Sequence, residues 1–249
     1  MKTKILFFAF GLVACILNAQ TATDKKMTWD YPLKPGMEEW NQLRTEQERI
    51  NAVQVPEDIL EKLTSEEVVR LIITFPLFGD FRAFSTLQND GFSVMLRRFN
   101  IFGHLLSLKD VGKSLVAAYK DADMTGFRTL PYSNEYWTIK LDYLELVLVQ
   151  KTVLQHLTSG EKLELLEEAR IKFSEKINNE AFATLPGIQP SIRIMAGILD
   201  LEEHQEFKLS SNRQKLTSFI QTGKVGEASL IDEIVRMTDH YIHSKKQIQ

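Results

Sequence analysis

The residues of this chain that could do chemistry are five histidines, one cysteine and several adjacent carboxylates. Asp200 and His204 lie four apart, as do Asp239 and His243, and His240 stands three before His243. On a helix that spacing puts two side chains on one face, where imidazole and carboxylate could share a divalent metal. A competent site needs further ligands, and neither His104 nor His156 is placed to supply one in a known motif; His-Glu-x-x-His is absent. The expectation is solvated pairs near helix C-termini, where the dipole favours a protonated imidazole, with no metal and no cofactor. Adjacent acids occur at Glu57-Asp58, Glu66-Glu67, Glu167-Glu168, Glu202-Glu203 and Asp232-Glu233. Neighbours on a helix diverge, so adjacency builds no acid–base dyad.

Nucleophiles and phosphate loops fare no better. Gly112-Lys113-Ser114 has the closing residues of a phosphate loop, but Ser107 stands where that loop needs its first glycine. Val111, Leu115 and Tyr119 are spaced as a helical stripe, so the segment reads as a helix beginning near Asp110, capped by that aspartate. No Gly-x-Ser-x-Gly elbow occurs. A hydrolase with acids dispersed over inner helix faces is the alternative to a non-enzymatic protein, because such residues leave no linear motif.

Cys15 carries a different chemistry. It ends an apolar run, Ile5 to Ala14, that follows the basic Lys2 and Lys4 and is too short to span a bilayer. Leu12-Val13-Ala14-Cys15 has the form of a lipoprotein box, which makes Cys15 the lipid-anchor candidate and residues 1–14 the removed segment. Asn18-Ala19-Gln20 offers a competing cut that would make residues 1–19 the export signal and discard Cys15. On either processing the cysteine is unavailable as a catalytic nucleophile. Residues 20–36 then read as a tether, and residues 37–249 as one helical domain with a sub-boundary near 121–132. The expected localisation is exported, lipid-anchored to the cell envelope or released.

Binding residues are the remaining class. Phe75, Phe78, Phe81 and Phe84 fall within ten residues around Pro76 and Gly79. They could line a groove for a peptide or apolar ligand, or form a buried corner between helices. Trp29, Tyr31 and Trp40 are a second candidate aromatic patch, exposed near the tether.

Composition narrows the partners. The formal net charge is -3, and removal of Lys2 and Lys4 with the export segment makes it -5. Arg97-Arg98 is a basic dipeptide that fits a solvated helix face, and an acidic chain with no longer basic block argues against nucleic acid. Leu141 to Val149 is the closest approach to a second membrane-length run, and Asp142 and Glu145 interrupt it. Membrane contact is therefore expected only through lipid at Cys15. The partner class that remains is an unknown protein or peptide.

The elements that must position these residues are helical almost throughout. Val68, Leu71, Ile72 and Phe75 form a stripe behind the capping box Thr64-Ser65-Glu66-Glu67. Leu163, Leu166, Arg170, Phe173 and Ile177 form another behind Thr158-Ser159-Gly160-Glu161, with Glu168 and Lys172 paired on its wet face. A last stripe runs through Leu230, Ile231, Ile234, Val235, Tyr241 and Ile242. Residues 136–157 are apolar nearly all round, which predicts a central helix surrounded by others. Breaks are expected at Pro32 to Gly36, Phe75 to Phe84, Asp121 to Tyr132, Leu185 to Pro190 and Thr222 to Gly226. The fold class is all-α, an irregular array of eight to ten helices around the 136–157 helix.

Several phrases between Glu39 and Tyr119 resemble a family of uncharacterised, exported, all-helical bacterial proteins. They are Glu39-Trp40, Val55-Pro56-Glu57-Asp58-Ile59-Leu60, Leu63-Thr64-Ser65-Glu66-Glu67, Phe75-Pro76-Leu77, Arg98-Phe99-Asn100 and Leu105 to Asp110. The likeness covers about a third of the chain and stops short of Glu180. It implies an envelope protein with a helical fold and brings no activity or catalytic residue. The functional expectation is a non-enzymatic binding or scaffolding module.

Overall fold

The computed structural model describes residues 29–78, 90–122, 141, 143–180, 182 and 185–247. Among these residues the chain is helix and connection, with no strand. The first half holds α1 (Glu38–Asn41), α2 (Glu46–Ala52), α3 (Glu57–Leu60), α4 (Ser65–Ile73), α5 (Asp90–Arg98), α6 (Asn100–Ser107) and α7 (Val111–Asp121). The second holds α8 (143–148), α9 (Lys151–His156), α10 (Ser159–Ile177), α11 (Leu185–Leu201), α12 (Gln205–Leu209), α13 (Arg213–Thr222) and α14 (Ala228–Lys246). The elements beyond the expected eight to ten are short helices of about one turn, which a periodicity argument does not see.

Both expected capping boxes form, at Thr64 with Glu67 and at Thr158 with Glu161. A third, Thr45 with Glu48, starts α2 and has the same spacing. Each threonine hydroxyl takes one orphan amide of the first turn while the glutamate returns to the cap. α4 and α7 pack side by side, and α7 continues onto α10. α10 and α11 make the most extensive helix pair, which α14 closes on one side. One continuous apolar cluster runs from Tyr31 to Tyr241 through both halves.

Four sequence expectations change. The central helix is broken: Val149 and Gln150 are not helical, and Gln150 takes an extended backbone before α9. Its amide Nε2 donates to the Leu146 carbonyl at 2.6 Å, answering a carbonyl that the end of α8 leaves open. Residues 143–150 are buried as expected, with Leu144, Val147 and Leu148 at most 2% exposed, whereas α9 buries Val153 and Leu154 and exposes Lys151, Thr152, Gln155 and His156. The stripe on α10 holds at Leu166 and Phe173 but is shifted around them: Leu165, Ala169, Lys172 and Lys176 also face inward, while Ile177 is 47% exposed. Lys172, expected on the wet face, is 2% exposed, because its ammonium has partners inside.

The break expected at Leu185 to Pro190 is helical. Pro186 sits in the first turn of α11, where a missing N–H costs nothing, and Pro190 lies one turn further in. Gly187 is required here, since a Cβ would stand 2.5 Å from the Phe182 carbonyl oxygen. Finally, the end of the expected tether is packed. Tyr31 is 3% exposed and donates its hydroxyl to the Leu71 carbonyl at 3.2 Å, and Arg70 donates to the Trp29 carbonyl at 2.5 Å. Tyr31 and Trp40 are therefore core residues and not an exposed patch, with Trp29 half-buried against Tyr31.

Candidate binding groove

Phe75, the first of the four phenylalanines, is a core residue and lines no groove. Phe75 has no exposed surface and meets Tyr31, Phe99 and Phe102 edge-on, with centroids 5.9, 4.8 and 5.2 Å away. Buried rings in this geometry gain packing and a favourable quadrupole alignment. Phe78 is half-buried against Tyr143 at 5.9 Å. Phe81, Phe84 and Cys15 lie outside the described residues.

A cavity of about 590 Å³ lies instead between α4 and α7, within the range that holds a ligand or a short peptide. Its floor is Val69 and Ile73, an i,i+4 pair on α4, with Ala117 and Ala118 on α7. Thr64, Ser65 and Asp110 stand at one end, and the Ser65 hydroxyl donates to the Asp110 carboxylate. Asp110 is the N-cap residue of α7 by position, yet makes no cap to its own helix, since its carboxylate is spent on α4. Both helices thus begin at this end, and the lining runs down them to Thr74 and Asp121. The two C-termini share the other end.

The charges of the groove are uneven. Arg70 is held by the Trp29 carbonyl and faces Asp30 at 4.0 Å. Lys113 and Asp121 are exposed, with no ion-pair partner among the described residues. Lys113 belongs to the phosphate-loop remnant, and the helix it sits on begins at Val111, as the stripe predicts. Gly112 faces away, toward α10, where a Cβ would meet the Glu161 carboxylate at 2.6 Å. No loop wraps a phosphate there.

A second constellation is sealed in the core and was not picked out from the sequence. Glu145 on α8 and Lys176 on α10 have no exposed side-chain surface and pair at 2.5 Å. Glu145 Oε1 also accepts the hydroxyls of Tyr119 and Ser191, each at 2.6 Å. Lys176 donates to the Gly187 carbonyl at 2.9 Å. Burial, then the neighbouring Glu145 charge, pushes the Tyr119 hydroxyl well above its ordinary range, so it remains a donor. Lys172 extends the seam, donating to the Ala122 carbonyl at 2.7 Å, 3.2 Å from Glu168 and 5.1 Å above the Tyr119 ring. The signal was legible: one glutamate in an otherwise buried run demands a partner.

Arg193 on α11 is 3% exposed and donates to the Ile220 carbonyl near the end of α13. Burial pulls its guanidinium down to about 9. A cation at a helix C-terminus is favoured by the dipole.

The histidine pairs separate. Asp200 pairs with Arg213 at 2.9 Å, and Asp239 with Arg170 at 2.8 Å. His240 on α14 pairs with Glu206 on α12 at 2.9 Å, beside Arg236. His204 lies edge-on to Tyr241 at 5.3 Å, and its Nδ1 is buried without a partner. Among the described residues no three metal-binding groups converge. Nor is any described helix long and apolar enough to cross a membrane. A comparison with protein-family models, curated proteins and solved structures finds no match.

Proposed function

We propose that this chain is an exported cell-envelope protein, lipid-anchored through Cys15 or released after Ala19, that works as a non-enzymatic helical binding module for a protein or peptide. The observation that carries the binding reading is the α4–α7 groove, open along two packed helices with an apolar floor and polar rims. Its walls are helices held at their N-termini by a capping box and by the Ser65–Asp110 bond, so the face is preorganised. Among the described residues Glu145 is the one acid with no exposed surface, and it is paired with Lys176 and does not line the groove, which disfavours the dispersed hydrolase.

A photoreactive phenylalanine at position 113, on the exposed rim of the groove, tests this in intact cells. The expected result is one discrete adduct there and none from a matched probe at exposed Leu209. Equal adducts at both positions, or none at either, would remove the groove as the binding face. The address is tested by Cys15→Ser. If Cys15 is lipidated, the variant carries no lipid and its processing differs from that of the wild type; unchanged fractionation and processing leave only the Ala19 cut.

A further inference from the structure

We infer that the occupant of the α4–α7 groove is a short polypeptide segment in which aliphatic residues alternate with lysine or arginine. This rests on the reading of the groove as the binding face. The floor of Val69, Ile73, Ala117 and Ala118 matches aliphatic side chains, and its alanines let a backbone approach closely. Lys113 and Asp121 are eight residues apart on α7, about 12 Å at the helical rise. At about 3.3 Å per extended residue, four or so residues of a partner fill that span.

The charges decide which segment. At the end where the helices begin, the positive dipole ends already face Glu67 in its capping box and Asp110. An incoming anion would meet carboxylates there, and Lys113 is the one basic group of the lining not already engaged. At the other end the C-terminal carbonyl of α7, at Ala122, already accepts the Lys172 ammonium, and Arg70 stands in the last turn of α4, so the helix poles there are answered. Asp121 adds a carboxylate in the last turn of α7, where its own helix disfavours it. Its neighbour Lys120 is turned away, paired with Glu164 at 2.6 Å. Asp121, exposed and without an ion-pair partner among the described residues, is the acid left at that end of the apolar trough, and it favours an ammonium or guanidinium. The same carboxylate disfavours a phosphate backbone or an anionic lipid surface.

The test is binding of two acetylated, amidated fluorescent pentapeptides to the purified full-length protein. One alternates leucine and valine with lysine, and the other with glutamate. The expected result is a preference of about fivefold for the lysine peptide, narrowing with salt. Asp121→Asn should weaken that peptide roughly threefold. Ala117→Phe, at an exposed position that leaves the fold intact, should abolish binding. Equal binding of both peptides, lost in Ala117→Phe, would overturn the charge assignment and leave the groove standing. Lysine-peptide binding that ignores both substitutions is diffuse attraction to an acidic chain and overturns the proposal. Failure of both peptides to bind overturns it too, and the position-113 crosslink then decides separately whether the groove binds anything.

Discussion

Glu145 has no exposed surface, so its charge must be answered within the protein. Lys176 answers it directly, and Tyr119 and Ser191 complete one oxygen. Breaking such a pair costs more than omitting it, because the surviving charge stays dry. Lys176→Met should therefore lose about 3–5 kcal/mol of stability in urea unfolding. Lys176→Met combined with Glu145→Gln keeps an acceptor for both hydroxyls and removes both charges. The double variant should be more stable than Lys176→Met alone, a coupling that a double-mutant cycle reads. If the two losses simply add, the pair is not the unit described. This node shows what linear order hides. Glu145 reads in sequence as an interruption of an apolar run, and Lys176 as a wet residue of an amphipathic helix. Only the crossing of α8, α10 and α11 makes them partners across 31 residues. The capping boxes lie at the opposite extreme. Thr64 and Glu67 meet within one turn, so three residues of spacing suffice to read them.

At the scale of elements, the helices agree with their sequence wherever local rules decide, and depart where tertiary contacts override. Pro190 should end a helix, yet α11 continues through it, with Gly187 pressed against the Phe182 carbonyl. The groove was illegible for a related reason. Its floor residues Ala117 and Ala118 carry no signal alone, and its far wall comes from α4, more than 40 residues away. The end of α11 offers a test. Glu203 has φ 52°, the left-handed conformation in which glycine is at ease and a glutamate is strained. The His204 amide donates to the Leu199 carbonyl at 3.0 Å across this turn, so the conformation is imposed by the helix ending. The pair from Glu203 to Lys208 is exposed and adds little. Glu203→Gly should thus raise Tm by roughly 2–3 °C for a chain of this size. A lowered Tm would mean that the Lys208 pair outweighs the strain of the turn.

At the scale of the whole molecule, one apolar cluster joins both halves, and stability rests on it without any disulfide, since Cys15 is the only cysteine. Such a fold is sensitive to charge uptake at its buried edges. Burial holds the imidazoles of His104 and His204 below their ordinary range, against opposing pulls from Glu57 and Glu206. His104 Nε2 and His204 Nδ1 are buried without partners, on α6 and at the start of α12. His204 faces Tyr241 and His240 on α14, with Lys245 and Glu206 nearby. Both histidines bind protons more readily in the unfolded chain, so stability is complete above about pH 6.5 and declines as pH falls below it. A second decline follows near pH 4, because hydrogen bonds from His240 and Arg236 hold the Glu206 carboxyl below its ordinary range. Protonating that carboxyl gives up the link between α12 and α14. Thermal melts from pH 8 to pH 3 should show both declines. The paired variant His104→Gln with His204→Gln should flatten only the one between pH 7 and pH 5. If the wild-type Tm is level from pH 7 to pH 5, the fold does not hold the two imidazoles below their ordinary range, and the α11–α12 turn is wetter than its packing against Tyr241 implies.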